Sequence, residues 1–177
     1  MKTVEAVGPI KVDQVCSAPA PFLLPGSDAC RRDSQGQNGS SRRQPCYRPR
    51  QQAGLQYARR NGALADIIAA GARVLECACG PCIGMGQSPN SHGVSLRTFN
   101  RNFEGRSGTA DGQIYLVSPE TAAASALTGV LTDPRTLGDA VSVAMPEHFL
   151  INDNMVAAPV PADDMDSVEI LRGPNIK

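Results

Sequence analysis

The run Ile114-Tyr115-Leu116-Val117-Ser118-Pro119-Glu120-Thr121-Ala122-Ala123-Ala124-Ser125-Ala126-Leu127-Thr128-Gly129 decides the fold class. Its first four residues favour a pleated, half-buried strand. Ser118 then offers a hydroxyl N-cap, Pro119 sets φ where no N–H is needed, and Glu120 places an acid in the first turn. The alanines and Leu127 carry the helix to Gly129, which stops it. A strand leading directly into a capped helix is one unit of an α/β sheet. Upstream, Ala63–Ala70 reads as a helix ending at Gly71, Val74-Leu75 as a short buried strand, and Val94–Thr98 as another strand. Pro9–Val15 is strand-like near the start, and Val168–Leu171 is a last short strand before Arg172-Gly173-Pro174. The alternation predicts an α/β fold, three-layer α/β/α with a mainly parallel sheet.

The chain has 177 residues, enough for one domain with a real core. Its formal net charge is zero, so charge alone implies no nucleic-acid or membrane partner. No apolar run approaches the roughly 20 residues of a membrane helix, and the start lacks the apolar stretch of a secretory signal. Between Ser17 and Arg59 the apolar periodicity vanishes, and eight of the 17 Lys and Arg residues lie between Arg31 and Arg60. Composition alone makes that stretch a disordered basic linker. With only Phe22 and Tyr47 as aromatics over residues 17–54, it is a poor nucleic-acid surface.

Six cysteines stand at positions 16, 30, 46, 77, 79 and 82. A Cys77–Cys79 bridge would be badly strained, so the crowding suits thiolates in a reducing, cytoplasmic setting. Cys79-Gly80-Pro81-Cys82 can chelate one metal centre, act as a redox dithiol, or be a buried structural pair. A redox dithiol wants a helix after the first cysteine, which Gly84, Gly86 and Pro89 oppose. A zinc site wants a second ligand pair, and only Cys77 and His92 are at hand. Cys77 reads as a buried small side chain, and His92, in a Ser/Asn/Gly loop, as exposed. These residues by themselves leave cluster, redox and structural readings open.

Three blocks in order resolve them by resemblance. Ala78-Cys79-Gly80-Pro81-Cys82-Ile83-Gly84, Phe99-Asn100-Arg101-Asn102-Phe103-Glu104-Gly105-Arg106 and Tyr115-Leu116-Val117-Ser118-Pro119-Glu120 resemble motifs of the aconitase and isopropylmalate isomerase family, over residues 60–140. The resemblance implies a [4Fe–4S] cluster held by three thiolates, with an open iron that acts as a Lewis acid on the substrate's hydroxyl. It assigns Cys79 and Cys82 to two of the metal ligands. Arg101 and Arg106 match guanidinium forks for the substrate's carboxylates, and Asn100 a polar neighbour counted with them. The substrate implied is a small tricarboxylic acid, citrate or isocitrate, in an aconitate hydratase. A large-subunit piece of 3-isopropylmalate dehydratase or homoaconitase is the alternative. In the family the proton-abstracting serine lies on a swivelling domain, so no catalytic residue is expected in this chain.

The resemblance also has a gap. The family's first cluster cysteine sits in Gly-Ser-Cys-Thr-Asn-Ser, and no Cys-Thr-Asn occurs here. The codons TCG GCT CCT GCA CCA for Ser17–Pro21, read one nucleotide earlier after an A, give Ile-Gly-Ser-Cys-Thr. Pro45–Gly54 can likewise be recoded to Leu-Val-Ile-Ala-Pro-Gly-Ser-Arg-Gln, the family's next strand and loop. Four regions are expected: 1–16, the in-frame start; 17–59, an aberrant, disordered stretch, frame-shifted over 17–54; 60–150, the cluster and substrate segment; and 151–177, the domain end and a linker toward the swivelling domain. On this reading the sheet loses members and the third ligand is missing. The chain should then be an inactive fragment that needs the other aconitase domains. The alternative of another class is a degraded gene product or a free-standing metal-binding module.

Overall fold

Five parallel strands form one sheet in the order β3-β2-β1-β4-β5. They are β1 (Gln14–Ser17), β2 (Gln44–Tyr47), β3 (Arg73–Val74), β4 (Val94–Arg97) and β5 (Gln113–Leu116). The helices are α1 (Val4–Val7), α2 (Gln52–Arg60), α3 (Ala63–Ala69) and α4 (Pro119–Thr128). This computed structural model describes residues 1–17, 44–47, 52–76, 78, 80–138, 147–151, 153–154, 156–170 and 172–175; for 44–47 and 52 it describes the backbone alone. The α/β fold with a parallel sheet is therefore as the sequence predicts.

The elements form for local reasons. Ser118 Oγ accepts from the Thr121 amide at 3.2 Å, and Gly129 closes α4 with φ at +81°. Val12, Val15, Val94, Leu96, Ala122 and Leu131 make the main core, which packs strands β1 and β4 against α4. Val4, Val7 and Ile10 cover one side of it. An isolated antiparallel bridge from Lys11 to Val130 ties the chain start to the end of α4.

Three expectations need correction. Residues 17–59 are not uniformly irregular: Ser17 ends β1, Gln44–Tyr47 forms β2, which pairs with both β1 and β3, and Gln52–Arg60 is helical. Pairing with neighbouring strands overrides the polar local composition of β2; residues 18–43 and 48–51 lie outside the described residues. Val74 is exposed rather than buried, because β3 is two residues long and forms the sheet edge. Val168–Ile170 is exposed and forms no strand, having no partner strand beside it among the described residues, and Leu171 lies outside them. No described helix is long and apolar enough to cross a membrane.

The strand order sets the place of any site. From β1 the chain winds outward through β2 to β3, returns, and winds the other way through β4 to β5. In open parallel sheets such a reversal leaves a crevice at the carboxyl ends of the two strands that flank it. Here those strands are β1 and β4, ending at Ser17 and Arg97.

Candidate functional site

The arginine loop leaves the sheet at that crevice, and the cysteine turn, which follows β3, reaches it through Cys82. Pro81–Ile83 is one turn of 3₁₀ helix opened by Gly80 and closed by Gly84, whose φ is +88°. The turn is tight: the Ile83 and Met85 amides both donate to Gly80 O at 3.2 Å, and the Gly84 amide to Pro81 O at 3.0 Å. A Cβ on Gly84 would lie 2.5 Å from Ser88 Oγ and 2.6 Å from Ser107 Oγ, so only glycine fits without displacing them. No helix follows Cys82, as the glycines foretold.

Cys82 is half-buried and packs with Leu75 against Cys16 and Phe99, both buried. Cys16 comes from β1, while Phe99 follows β4. The two strands flanking the switch point therefore supply the apolar floor beneath Cys82. Cys79 and Cys77 lie outside the described residues.

The arginine loop meets this turn through one bond. Arg106 Nε donates to the Cys82 carbonyl at 3.2 Å, and the guanidinium lies over the Phe103 ring at 5.2 Å from its centroid. Such stacking holds a partly exposed guanidinium in one orientation. Arg101 and Asn100 are exposed. Asn102 is turned the other way, its Nδ2 donating to Ile114 O on β5 at 3.3 Å. The structure thus brings Cys82 and Arg106 together, with Asn100 and Arg101 on the same loop.

His92 stands apart. It is exposed as expected, adopts a φ of +59°, and its Nδ1 lies 3.2 Å from Asp111 Oδ2. A hydrogen bond from Thr109, and to a lesser extent the charge of His92, hold the Asp111 carboxyl below its usual range. His148 has a structural role that its sequence context does not suggest: Tyr57 Oη donates to its carbonyl at 2.7 Å and accepts from the Leu150 amide at 2.8 Å.

Sequence reasoning misses Arg97. The pattern Val-Ser-Leu-Arg over 94–97 reads as one apolar and one solvent-facing row, yet all four residues are buried. Arg97 is 2% exposed. Its Nε donates to Ser95 Oγ at 3.1 Å, one terminal nitrogen to Pro81 O at 2.9 Å, and the other to Gln14 Oε1 at 3.3 Å and Gln87 O at 2.6 Å. The only local signal is a long cation at the end of a four-residue strand.

A [4Fe–4S] cluster of the kind the resemblance implies needs three thiolates. Among the described residues no three His, Cys, Asp or Glu side chains come together to hold a metal ion. Cys82 is half-buried, and Cys16 is wholly buried in the apolar floor. The described thiols, Cys16 and Cys82, are too few to hold the cluster, so no chemical step is routed through one here.

A model of the aconitase family (aconitate hydratase) matches residues 34–129. The chain belongs to the aconitase family. Similar proteins include a probable methanogen homoaconitase large subunit of Methanosarcina mazei, 48% identical over 90 residues, which are 50% of this chain and 23% of that protein. A 3-isopropylmalate dehydratase large subunit of Methanoregula boonei is 51% identical over 75 residues, 42% of this chain and 18% of that protein. A homoaconitase large subunit of Thermus thermophilus is 46% identical over 84 residues, 47% of this chain and 20% of that protein. The chain thus spans about a fifth of the length of these aconitase-family relatives. These relatives are named for homoaconitase and 3-isopropylmalate dehydratase rather than for aconitate hydratase.

Proposed function

We propose that this chain carries the carboxylate-binding part of an aconitase-family hydro-lyase site, of the homoaconitase or 3-isopropylmalate dehydratase large-subunit type. The observation that carries this reading is the Arg106–Cys82 bond at the carboxyl edge of β1 and β4. It sets a guanidinium fork beside the cysteine turn, where an anionic substrate would meet both. Arg101 and Arg106 would bind carboxylates, Asn100 would assist, and Cys79 and Cys82 would be metal ligands in a complete enzyme. In such an enzyme the cluster would supply Lewis-acid chemistry. In this chain the residues only bind and orient the acid, and the protein by itself is inactive.

Titration of the full chain with homocitrate, 3-isopropylmalate and citrate, followed by NMR shifts of the 100–106 amides, tests the reading. We expect one of the first two to bind best. Arg101→Ala or Arg106→Ala should weaken it about 10- to 100-fold, since a hydrogen bond to a charged group contributes about 1.5–3 kcal/mol. Absence of any shift with all three acids, or binding by both variants as tight as that of the unaltered chain, would sink it. Anaerobic reconstitution with iron and sulfide should leave no stable brown protein.

The alternative of another class, a product of a damaged gene, is supported by β2. Pro45 lies in a strand paired on both sides, where a proline removes a ladder donor. We infer that residues 17–54 are read out of frame, and that the recoded Leu-Val-Ile-Ala run belongs in that strand. Resequencing the gene decides this: codons that cannot yield the recoded run would end the idea.

A further inference from the structure

We propose that Arg97 is the positioning residue of the site, a buried guanidinium that locks the cysteine turn to the strand that launches the arginine loop. Residues 80–88 contain Gly80, Gly84 and Gly86, so the backbone has little stiffness of its own. Two of its carbonyls, Pro81 O and Gln87 O, bracket the turn, and Arg97 donates to both. Two further donors go to Ser95 Oγ on the same strand and Gln14 Oε1 on β1, and Ser95 Oγ in turn donates to Gln14 Oε1 at 2.7 Å. Gln14, Ser95 and Gln87 are all buried. One planar fork thus distributes its donors over four acceptors from β1, β4 and the turn, which a lysine ammonium cannot reproduce.

Arg97 is also the last residue of β4, four positions before Arg101. Any shift of the turn against the sheet therefore changes the distance between Cys82 and the arginines. Arg106 grips the same turn from the other side, through Cys82 O. The value of that alignment for carboxylate binding rests on the function proposed above; the grip itself does not.

Amide hydrogen exchange on the full chain tests the grip without any ligand, because it reports local opening segment by segment. In Arg97→Gln the Ile83, Gly84, Met85 and Gln87 amides should exchange about tenfold faster, while those of β5 and α4 stay within about twofold. Arg97→Lys should behave like the glutamine variant, since it keeps the charge and loses the fork. Should Arg97→Gln not fold, Ser95→Ala decides: with the Nε acceptor removed, the same four amides should speed up about threefold. Turn amides that keep their rates, that speed up together with α4, or that are fully restored by lysine would overturn the proposal. Carboxylate titration of the unaltered chain reports on the function separately, so either reading can fail alone.

Discussion

At the scale of single residues, Gly84 is the sharpest constraint in the site. Its φ of +88° disfavours any L side chain by about 1–2 kcal/mol. An added Cβ would also push Ser88 Oγ, which now donates to Gly84 O at 2.9 Å, off its partner. Losing that bond costs roughly another 1 kcal/mol. Gly84→Ala should therefore lower stability by about 2–3 kcal/mol in urea denaturation; a loss below about 0.5 kcal/mol would show that the turn relaxes freely. The glycine was legible from the sequence, because Gly84 and Gly86 after Cys82 exclude a helix on propensity alone. Arg97 was not. Its role depends on acceptors at positions 14, 81, 87 and 95, and only the folded sheet brings these together. Arg101 and Arg106 were found by resemblance, and their spacing alone would not have separated them from loop arginines.

At the scale of elements, the parts written in local chemistry are the ones that could be read. Ser118-Pro119-Glu120 gives the start of α4 to the residue, with the cap bond in place. Ser118→Ala should cost about 1 kcal/mol, read from the urea midpoint, and an unchanged midpoint would mean that packing alone holds the helix start. Pro134–Thr136 is a similar short turn, capped by Asp133. Hydrogen bonds from the Arg135 side chain hold the Asp133 carboxyl down at about 2, against an ordinary value of 3.8. A depressed carboxylate stabilises the fold above its unfolded pKa and loses that contribution as pH falls through the folded one. The contribution should fade between about pH 4 and pH 2, and Asp133→Asn should flatten the stability profile in that window alone. Because the pair is exposed, the effect is small and should shrink further in high salt. One element that could not be read is β2. Gln-Pro-Cys-Tyr has no strand signature, and Pro45 opposes one, yet the gap between β1 and β3 recruits it. Here the demand of neighbouring strands outweighs a poor local sequence.

At the scale of the whole molecule, the chain divides into a packed unit and a peripheral segment. Leu96, fully buried between β1 and β5, belongs to the first, and Leu96→Ala should cost about 2–5 kcal/mol. The second begins where Tyr57 holds His148 and Leu150. Every described residue from Ile151 onward is exposed, including Val156, Val160, Met165, Val168 and Ile170. Its hydrogen bonds include local ones, Val156 N to Asp153 O and Asp164 N to Pro161 O. Burial supplies most of the stabilisation of a fold, so a segment whose described residues are all exposed contributes little to it. A chain ended after Leu150 should therefore keep its urea midpoint within the equivalent of about 0.5 kcal/mol, as surface changes do. Because exposed apolar side chains bind hydrophobic dyes, the same truncation should lower the fluorescence of an added naphthalene sulfonate dye. A loss approaching that of Leu96→Ala would mean instead that residues 151–177 pack onto the sheet in solution and belong to its core.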